Sequence, residues 1–114
     1  MKDCIFCKII NKEIPAKIHF EDKEVIVIED VNPKVPIHLL VISKKHLKSL
    51  NETNVKDQKL LGKLLLTAAK IAKKEKFAQN GYKIIINTGA NAGQSVKHLH
   101  LHLLNGNYQK INQI

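Results

Sequence analysis

The stretch HLHLHLL, from His98 to Leu104, decides the fold, because imidazole and leucine alternate in it at every second position. Successive side chains of a β-strand point to opposite faces, so this alternation predicts a strand. We expect His98, His100 and His102 on one face of a sheet and the leucines on the other. The leucine face is predicted to pack under a helix, and the histidine face is predicted to be surface.

Four other segments are typical of strands, because they are short, rich in β-branched residues and bounded by turn residues. They are AKIHF (16–20), EVIVIED (24–30), IHLLVIS (37–43) and YKIIINT (82–88). The residues EDKE form a predicted turn between the first two, and the prolines of VNPKVP exclude a helix before the third. Adjacent strands joined by such turns favour an antiparallel sheet.

A long helix is predicted from Val55 to about Lys76, where apolar residues recur at spacings of three and four. Those residues are Leu61, Leu64, Leu65, Ala68, Ile71 and Ala72. Asn54 and Asp57 form a predicted N-terminal cap, and Gly81 is the predicted stop. A shorter helical turn is predicted from Ile5 to Asn11.

The predicted fold class is therefore α+β, a five-stranded antiparallel sheet with one long and one short helix. No repeat, low-complexity run or flexible linker divides the 114 residues, so we expect a single domain over residues 1–114. A chain of this size leaves roughly a third of its unfolded-state surface in water when it folds alone. Pairing with a second copy is therefore expected.

The formal net charge is +9, and all 19 basic residues are lysine. Lysine is a strongly hydrated point charge that suits solvated faces, whereas nucleic-acid readers depend on the planar guanidinium of arginine. We therefore expect a solubilising surface and no specific nucleic-acid partner. The opening MKDCIFCKII is too short in apolar residues for a signal peptide or a membrane span, which favours a cytoplasmic protein with no membrane partner.

Two chemistries could use three histidines in register. Alternate histidines on a strand can hold a metal ion, but hydrolytic zinc sites need a further carboxylate or histidine nearby, and none follows His102 in the sequence. Alternatively, one imidazole attacks phosphorus while its second nitrogen donates a hydrogen bond that fixes the tautomer. The covalent interpretation needs no missing partner, so we favour it.

The segment GANAGQS, residues 89–95, lies just before the histidines. Its small residues allow backbone N–H groups to approach an anion closely, and the Ser95 hydroxyl is a further donor. Because the chain lacks arginine, backbone amides, Asn87, Ser95 and imidazoles must bind any phosphate. The segment is a predicted phosphate cradle.

At this point the sequence resembles a known family. GQSVKHLHLHLL is similar to the signature of the histidine triad family, and three longer segments resemble its Hint branch of nucleoside phosphoramidases. These are CIFCKIINKEIPAKIHFED, VNPKVPIHLLVISKKH and GYKIIINTGANAGQSV. The resemblance runs from Cys4 to Gly106. It implies a homodimer whose two sheets join into a continuous ten-stranded sheet, and hydrolysis of purine nucleoside phosphoramidates with no cofactor required for catalysis.

The resemblance also implies catalytic roles. His100 matches the nucleophile, which forms a covalent nucleotidyl-histidine, and the backbone carbonyl of His98 orients it. His102 and His38 bracket the phosphate and the leaving group. Ser95 hydrogen-bonds the leaving amine.

Nucleotide contacts follow from the same resemblance. Asn87 and Gly93 match phosphate-site positions, and Gln94 and Ser95 belong to the same nucleotide-binding segment. Asp30 matches the carboxylate that holds the ribose hydroxyls. Ile28 and Val31 would flank the base.

The pair Cys4 and Cys7 supplies two ligands of a tetrahedral zinc site, and a thioredoxin-like redox pair is the rival interpretation. The redox motif needs a preceding strand, and only three residues precede Cys4. The resemblance implies structural zinc on Cys4, Cys7, His46 and His98, although some Hint-branch proteins lack both cysteines and need no metal. His19 matches nothing and is read as a surface residue.

Two alternative functions stay open at this stage. One is a dinucleoside polyphosphate hydrolase of the same family, in which phosphate is the leaving group. The other is a nucleotide-binding or protein-interaction module without biological turnover. The ending NGNYQKINQI lacks the aromatic and proline-rich tail of some Hint-branch proteins, which leaves the substrate preference open. The physiological substrate and the choice between adenine and guanine are open as well.

Overall fold

The computed structural model describes residues 3–106. Five strands form one antiparallel sheet of order β1-β2-β3-β5-β4. They are β1 (Ile18–Glu21), β2 (Val25–Glu29), β3 (Ile37–Ser43), β4 (Lys83–Ile85) and β5 (His100–Asn105). The helices are α1 (Ile5–Ile10) and α2 (Gln58–Lys74). The predicted α+β fold with a five-stranded sheet, one long helix and one short helix is confirmed.

Strand β5 lies inside the sheet, between β3 and β4, and its alternating leucines face α2. Leu99, Leu101 and Leu103 are buried in one cluster with Leu64 and Ile71 of the helix. This confirms the predicted leucine face. Because the strand has hydrogen-bonded neighbours on both sides, its side chains hold fixed positions on either face of the sheet.

The predicted exposure of the histidine face is wrong. His98 is 0% exposed and His100 is 6% exposed, because α1 covers this side of the sheet. Phe6 and Ile9 of α1 pack against Ile26 of β2 in a second apolar cluster. The short helix therefore covers the face of the sheet that carries the histidines.

The predicted N-terminal cap of α2 is confirmed, but the α-helix begins at Gln58 and not at Val55, and its end also differs from the prediction. Asn54 and Asp57 form a capping box on a 3-10 turn, Val55–Asp57, and the α-helix follows. At the other end Phe77 N–H donates to Ala72 O at 3.0 Å, and Lys76 adopts a φ of 69°. These contacts form a Schellman-type end, so the predicted stop at Gly81 is wrong.

The buried stripe of α2 also differs from the prediction at three positions. Leu65 is 48% exposed, whereas Leu60 and Thr67 are buried. A helix turns about 100° per residue, and the stripe through Leu60, Leu64, Thr67 and Ala68 leaves Leu65 at its margin. None of the helices within residues 3–106 is long and apolar enough to cross a membrane.

Candidate functional site

His100, the first residue of β5, has the tautomer that a nitrogen nucleophile needs. Its Nδ1–H donates to the backbone carbonyl of His98 at 2.6 Å, so Nε2 carries an unshared electron pair. The ring of Phe6 packs edge-on, with centroids 5.0 Å apart. Burial lowers the pKa of His100, which keeps the ring neutral near neutral pH.

A chain of hydrogen bonds fixes the other two imidazoles of this site. The backbone N–H of Lys34 donates to Nδ1 of His38 at 3.1 Å, so the proton of a neutral His38 ring is on Nε2. That Nε2–H donates to Nδ1 of His102 at 2.9 Å. The neutral His102 ring then presents Nε2–H as a donor. Burial, together with the charges of His100 and His38, lowers the pKa of His102 to about 4.

Asp30 joins this group from the end of β2. Its Oδ2 lies 3.3 Å from Nε2 of His38, and its Oδ1 accepts the Asn32 N–H at 2.8 Å. Asp30, His38 and His102 therefore offer ligand atoms within 4.8 Å of one another, which sequence spacing did not indicate. Because His38 Nε2 is already a donor, it has no electron pair for an ion. The hydrogen-bonding interpretation of this group fits better than a metal site.

The predicted phosphate cradle is fixed by its own amide side chains. Gln94 Oε1 accepts Gly89 N–H at 2.8 Å, while Gln94 Nε2 donates to Lys48 O at 2.7 Å. Asn87 Nδ2 donates to Ala92 O at 2.8 Å. Gly93 has a φ of 82°, and no atom lies within 4 Å of a Cβ built there. The backbone at Gly93 is therefore open to a ligand, whereas the Gln94 amide holds the loop.

The other residues of the predicted nucleotide site differ in exposure. Ser95 is exposed and lines a cavity of about 500 Å³ together with Cys4 and His46. Val31 is 90% exposed, but Ile28 is 3% exposed and belongs to the cluster under α1. Val31 therefore has the larger surface for contact with a base.

The four predicted metal ligands lie together. Nδ1 of His98 is 3.2 Å from Sγ of Cys4 and 3.6 Å from Sγ of Cys7. Nδ1 of His46 is 3.3 Å from Sγ of Cys7 and 3.0 Å from Nδ1 of His98. All four ligand atoms are within 4.8 Å of one another. We call these four residues the Cys/His cluster.

The chemistry of the Cys/His cluster fits a tetrahedral metal. Nε2–H of His98 donates to Ser43 O at 2.6 Å, so the electron pair on Nδ1 is directed at the cluster. Zinc bonds of about 2.3 Å to sulfur and about 2.0 Å to nitrogen place tetrahedral ligand atoms roughly 3.3–3.8 Å apart. The observed separations of 3.0–3.6 Å are close to that range.

His19, which the sequence assigned no role, lies between two carboxylates. Its Nδ1 is 2.6 Å from Glu75 and its Nε2 is 2.9 Å from Glu29, and its side chain is 17% exposed. Burial alone would lower the pKa of His19, but the hydrogen bonds to Glu75 and Glu29 outweigh it and raise the pKa. The contact joins β1 and β2 to the end of α2.

The chain is similar to known proteins over most of its length. Residues 3–113 match the family described as "Scavenger mRNA decapping enzyme C-term binding". An uncharacterized HIT-like protein of Buchnera aphidicola is 48% identical over 110 residues, 96% of each chain. The purine nucleoside phosphoramidase of Escherichia coli is 39% identical over 105 residues, 92% of this chain and 88% of that one.

A solved structure gives the same result. The HIT family hydrolase from Legionella pneumophila is 44% identical and superposes with a TM-score of 0.89, covering 91% of this chain and 93% of that one. The chain therefore belongs to the histidine triad (HIT) family. The C-terminal ending that differs from some Hint-branch proteins includes residues 107–114, which lie outside the described residues.

Proposed function

We propose that this HIT family enzyme hydrolyses purine nucleoside phosphoramidates through a covalent nucleotidyl group on Nε2 of His100. The observation that carries the proposal is the 2.6 Å hydrogen bond from His100 Nδ1 to His98 O. It leaves Nε2 unprotonated in a buried, neutral ring, which is the form of imidazole that attacks phosphorus. A relative that is 39% identical to this chain is named a purine nucleoside phosphoramidase, which supports the substrate class.

In the first step, Nε2 of His100 forms a bond to the α-phosphorus as the bond from phosphorus to the amine breaks. The amine leaves with the bonding electrons and takes up a proton. His102 Nε2–H and the Ser95 hydroxyl are the hydrogen-bond donors that we assign to the side of the leaving amine. His102 keeps its neutral donor tautomer in this step, since its Nδ1 accepts the His38 Nε2–H, and the proton that the amine takes up comes from water.

In the second step, water attacks phosphorus and the bond to His100 breaks. The water supplies a hydroxyl to the nucleotide, and its proton replaces the one taken by the amine. The products are a nucleoside monophosphate and a free amine. His38 acts here by holding the donor tautomer of His102.

Substrate contacts surround this centre. The Asp30 carboxylate accepts both ribose hydroxyls, since each hydroxyl donates once and the carboxylate has two oxygens. Gly93 and Asn87 bind the phosphate, with Gln94 holding their loop. Val31 and the edge of Ile28 flank the purine.

We further propose that the Cys/His cluster binds structural zinc. When bound, the metal would supply a cross-link between α1, the segment at His46 and His98, two residues before β5. Catalysis itself needs no cofactor in this scheme.

A homodimer completes the proposal. Strand β4 is an edge strand, and Leu65 and Leu66 are exposed on α2. Joining two β4 edges would produce a ten-stranded sheet, and exposed leucines favour burial in an interface. We propose that residues 1–114 form one domain that acts in the cytoplasm, without a specific nucleic-acid or membrane partner.

The test compares the parent with His100→Ala on two substrates, an adenosine phosphoramidate and a diadenosine polyphosphate. The parent should cleave the phosphoramidate faster, and the variant should lose at least about a thousandfold in rate, because it lacks the nitrogen that attacks phosphorus. Nucleotide binding should persist in the variant. Parent-like turnover by His100→Ala would contradict the assignment, and faster cleavage of the polyphosphate by the parent would contradict the substrate class.

A further inference from the structure

We propose that metal occupancy of the Cys/His cluster sets the orientation of the nucleophile His100, through His98 and α1. The inference rests on the proposed function, since it concerns the same imidazole and the same metal. It assigns the cluster a positioning effect on the reaction in addition to the stability of the fold.

His98 is the direct connection between the two sites. On one side its Nδ1 lies 3.0 Å from His46 and 3.2 Å from Cys4. On the other side its backbone carbonyl accepts the 2.6 Å hydrogen bond from His100. One fully buried residue therefore contacts the metal ligands with its side chain and the nucleophile with its main chain.

The peptide group that carries the His98 carbonyl is tied to the segment of a cluster ligand, because Leu99 N–H donates to Leu47 O at 2.7 Å, one residue after His46. The regular strand β5 begins at His100, so His98 lies before the hydrogen-bonded register that fixes the rest of the row. Its ring is held at both nitrogens, by Ser43 O on one side and the cluster on the other. Loss of the cluster contacts releases both this ring and the segment of His46 and Leu47, so that the His98 carbonyl that accepts the His100 hydrogen bond shifts with them.

Helix α1 makes a second, independent connection. Phe6 lies between Cys4 and Cys7 in sequence, and its ring packs edge-on against His98 and His100 with centroid distances of 5.7 Å and 5.0 Å. A helix of six residues is not stable by itself, so tertiary contacts and the two cysteines hold it in place. Release of the cysteines loosens the aromatic contact on the nucleophile.

The experiment uses the full chain, loaded with zinc, and three variants. Cys4→Ser and His46→Ala each remove one ligand, and neither side chain has a described contact with His100. Lys8→Ser is the matched control, because it changes α1 without removing a ligand. Metal content, the tautomer of His100 from long-range proton–nitrogen NMR at one fixed pH, and the single-turnover rate of His100 nucleotidylation are measured for each.

The expected result is joint loss in the two ligand variants. They should lose zinc, show His100 no longer held as the Nδ1–H tautomer, and form the adduct at least about tenfold more slowly, as for other metal-supporting contacts. Lys8→Ser should match the parent in all three measurements. Titrating zinc back into metal-stripped parent should restore the His100 signal in proportion to bound metal.

A variant that loses zinc and keeps the parent's His100 spectrum would overturn the inference, whatever its rate. Loss of the whole fold in metal-stripped parent would overturn it as well, because the effect would not then be specific to His98 and α1. Failure of the proposed function is distinguishable, since it would appear as an adduct on a residue other than His100 while the spectrum still followed the metal.

Discussion

The two faces of the sheet are covered by very different helices. On one face the 17 residues of α2 bury an apolar stripe over the leucines of β5. On the other face the six residues of α1 lie over imidazoles and are anchored by cysteines as well as by Phe6 and Ile9. The difference shows that apolar burial stabilises the sheet on the α2 side, whereas polar and Cys/His contacts position the histidines on the α1 side.

The largest stability effect should come from the α2 face. Leu64→Ala should lower the free energy of unfolding by about 3 kcal/mol, because Leu64 is fully buried and its truncation leaves a cavity. Activity per folded molecule should change little. Urea denaturation and turnover measure the two effects, with Lys59→Ala as the exposed control on the same helix at about 0.5 kcal/mol or less; equal losses in the two variants would contradict the packing described.

The α1 face should respond in the opposite way. Phe6→Leu keeps an apolar side chain but removes the edge-on contact with His100, a contact worth about 1 kcal/mol. We expect a small loss of stability and a severalfold loss of turnover. Unchanged turnover with reduced stability would mean that α1 supports the fold alone.

The phosphate cradle should be sensitive to its own amide contacts. Gln94→Ala removes hydrogen bonds to Gly89, Lys48 and Val96, each worth about 1 kcal/mol at most. Since the loop then binds phosphate less well, we expect a higher KM and a smaller change in kcat. Nucleotide titration and steady-state kinetics test this, and a fall in kcat alone would contradict a role in holding the loop.

The smallest effect should be the pH dependence from His19. Its raised pKa means that its ion pairs stabilise the folded state fully below the unfolded pKa of 6.5, and that this stability is lost as pH rises through the folded pKa. The Tm of the parent, relative to His19→Gln, should therefore fall as pH rises from about 6 to 8. A difference that stays constant over this range would exclude the ion pairs as the cause.

Local sequence patterns were enough to predict the sheet and the long helix that packs on it. The period of two at His98–Leu104 predicted β5, and the run 37–43 coincides with β3 from Ile37 to Ser43. The capping pair Asn54 and Asp57 was likewise readable, because capping depends on residues three apart.

The site required contacts between distant residues. His38 and His102 are 64 residues apart in sequence, and Cys4 and His98 are 94 apart. The resemblance to the histidine triad family brought Cys4 and His98 together before the structure did, but no pattern indicated that His38 holds the tautomer of His102. The burial of the histidine row was also missed, because a six-residue helix leaves too weak a periodic signal to show which face it covers.

The most direct test of the central claim is a rapid-quench reaction with an adenosine phosphoramidate, followed by peptide mapping with mass spectrometry. The account predicts one nucleotidyl adduct, carried by the peptide that contains His100 and attached through Nε2, which forms and decays at rates compatible with turnover. An adduct on another side chain, or full turnover with no adduct at any time, would contradict it.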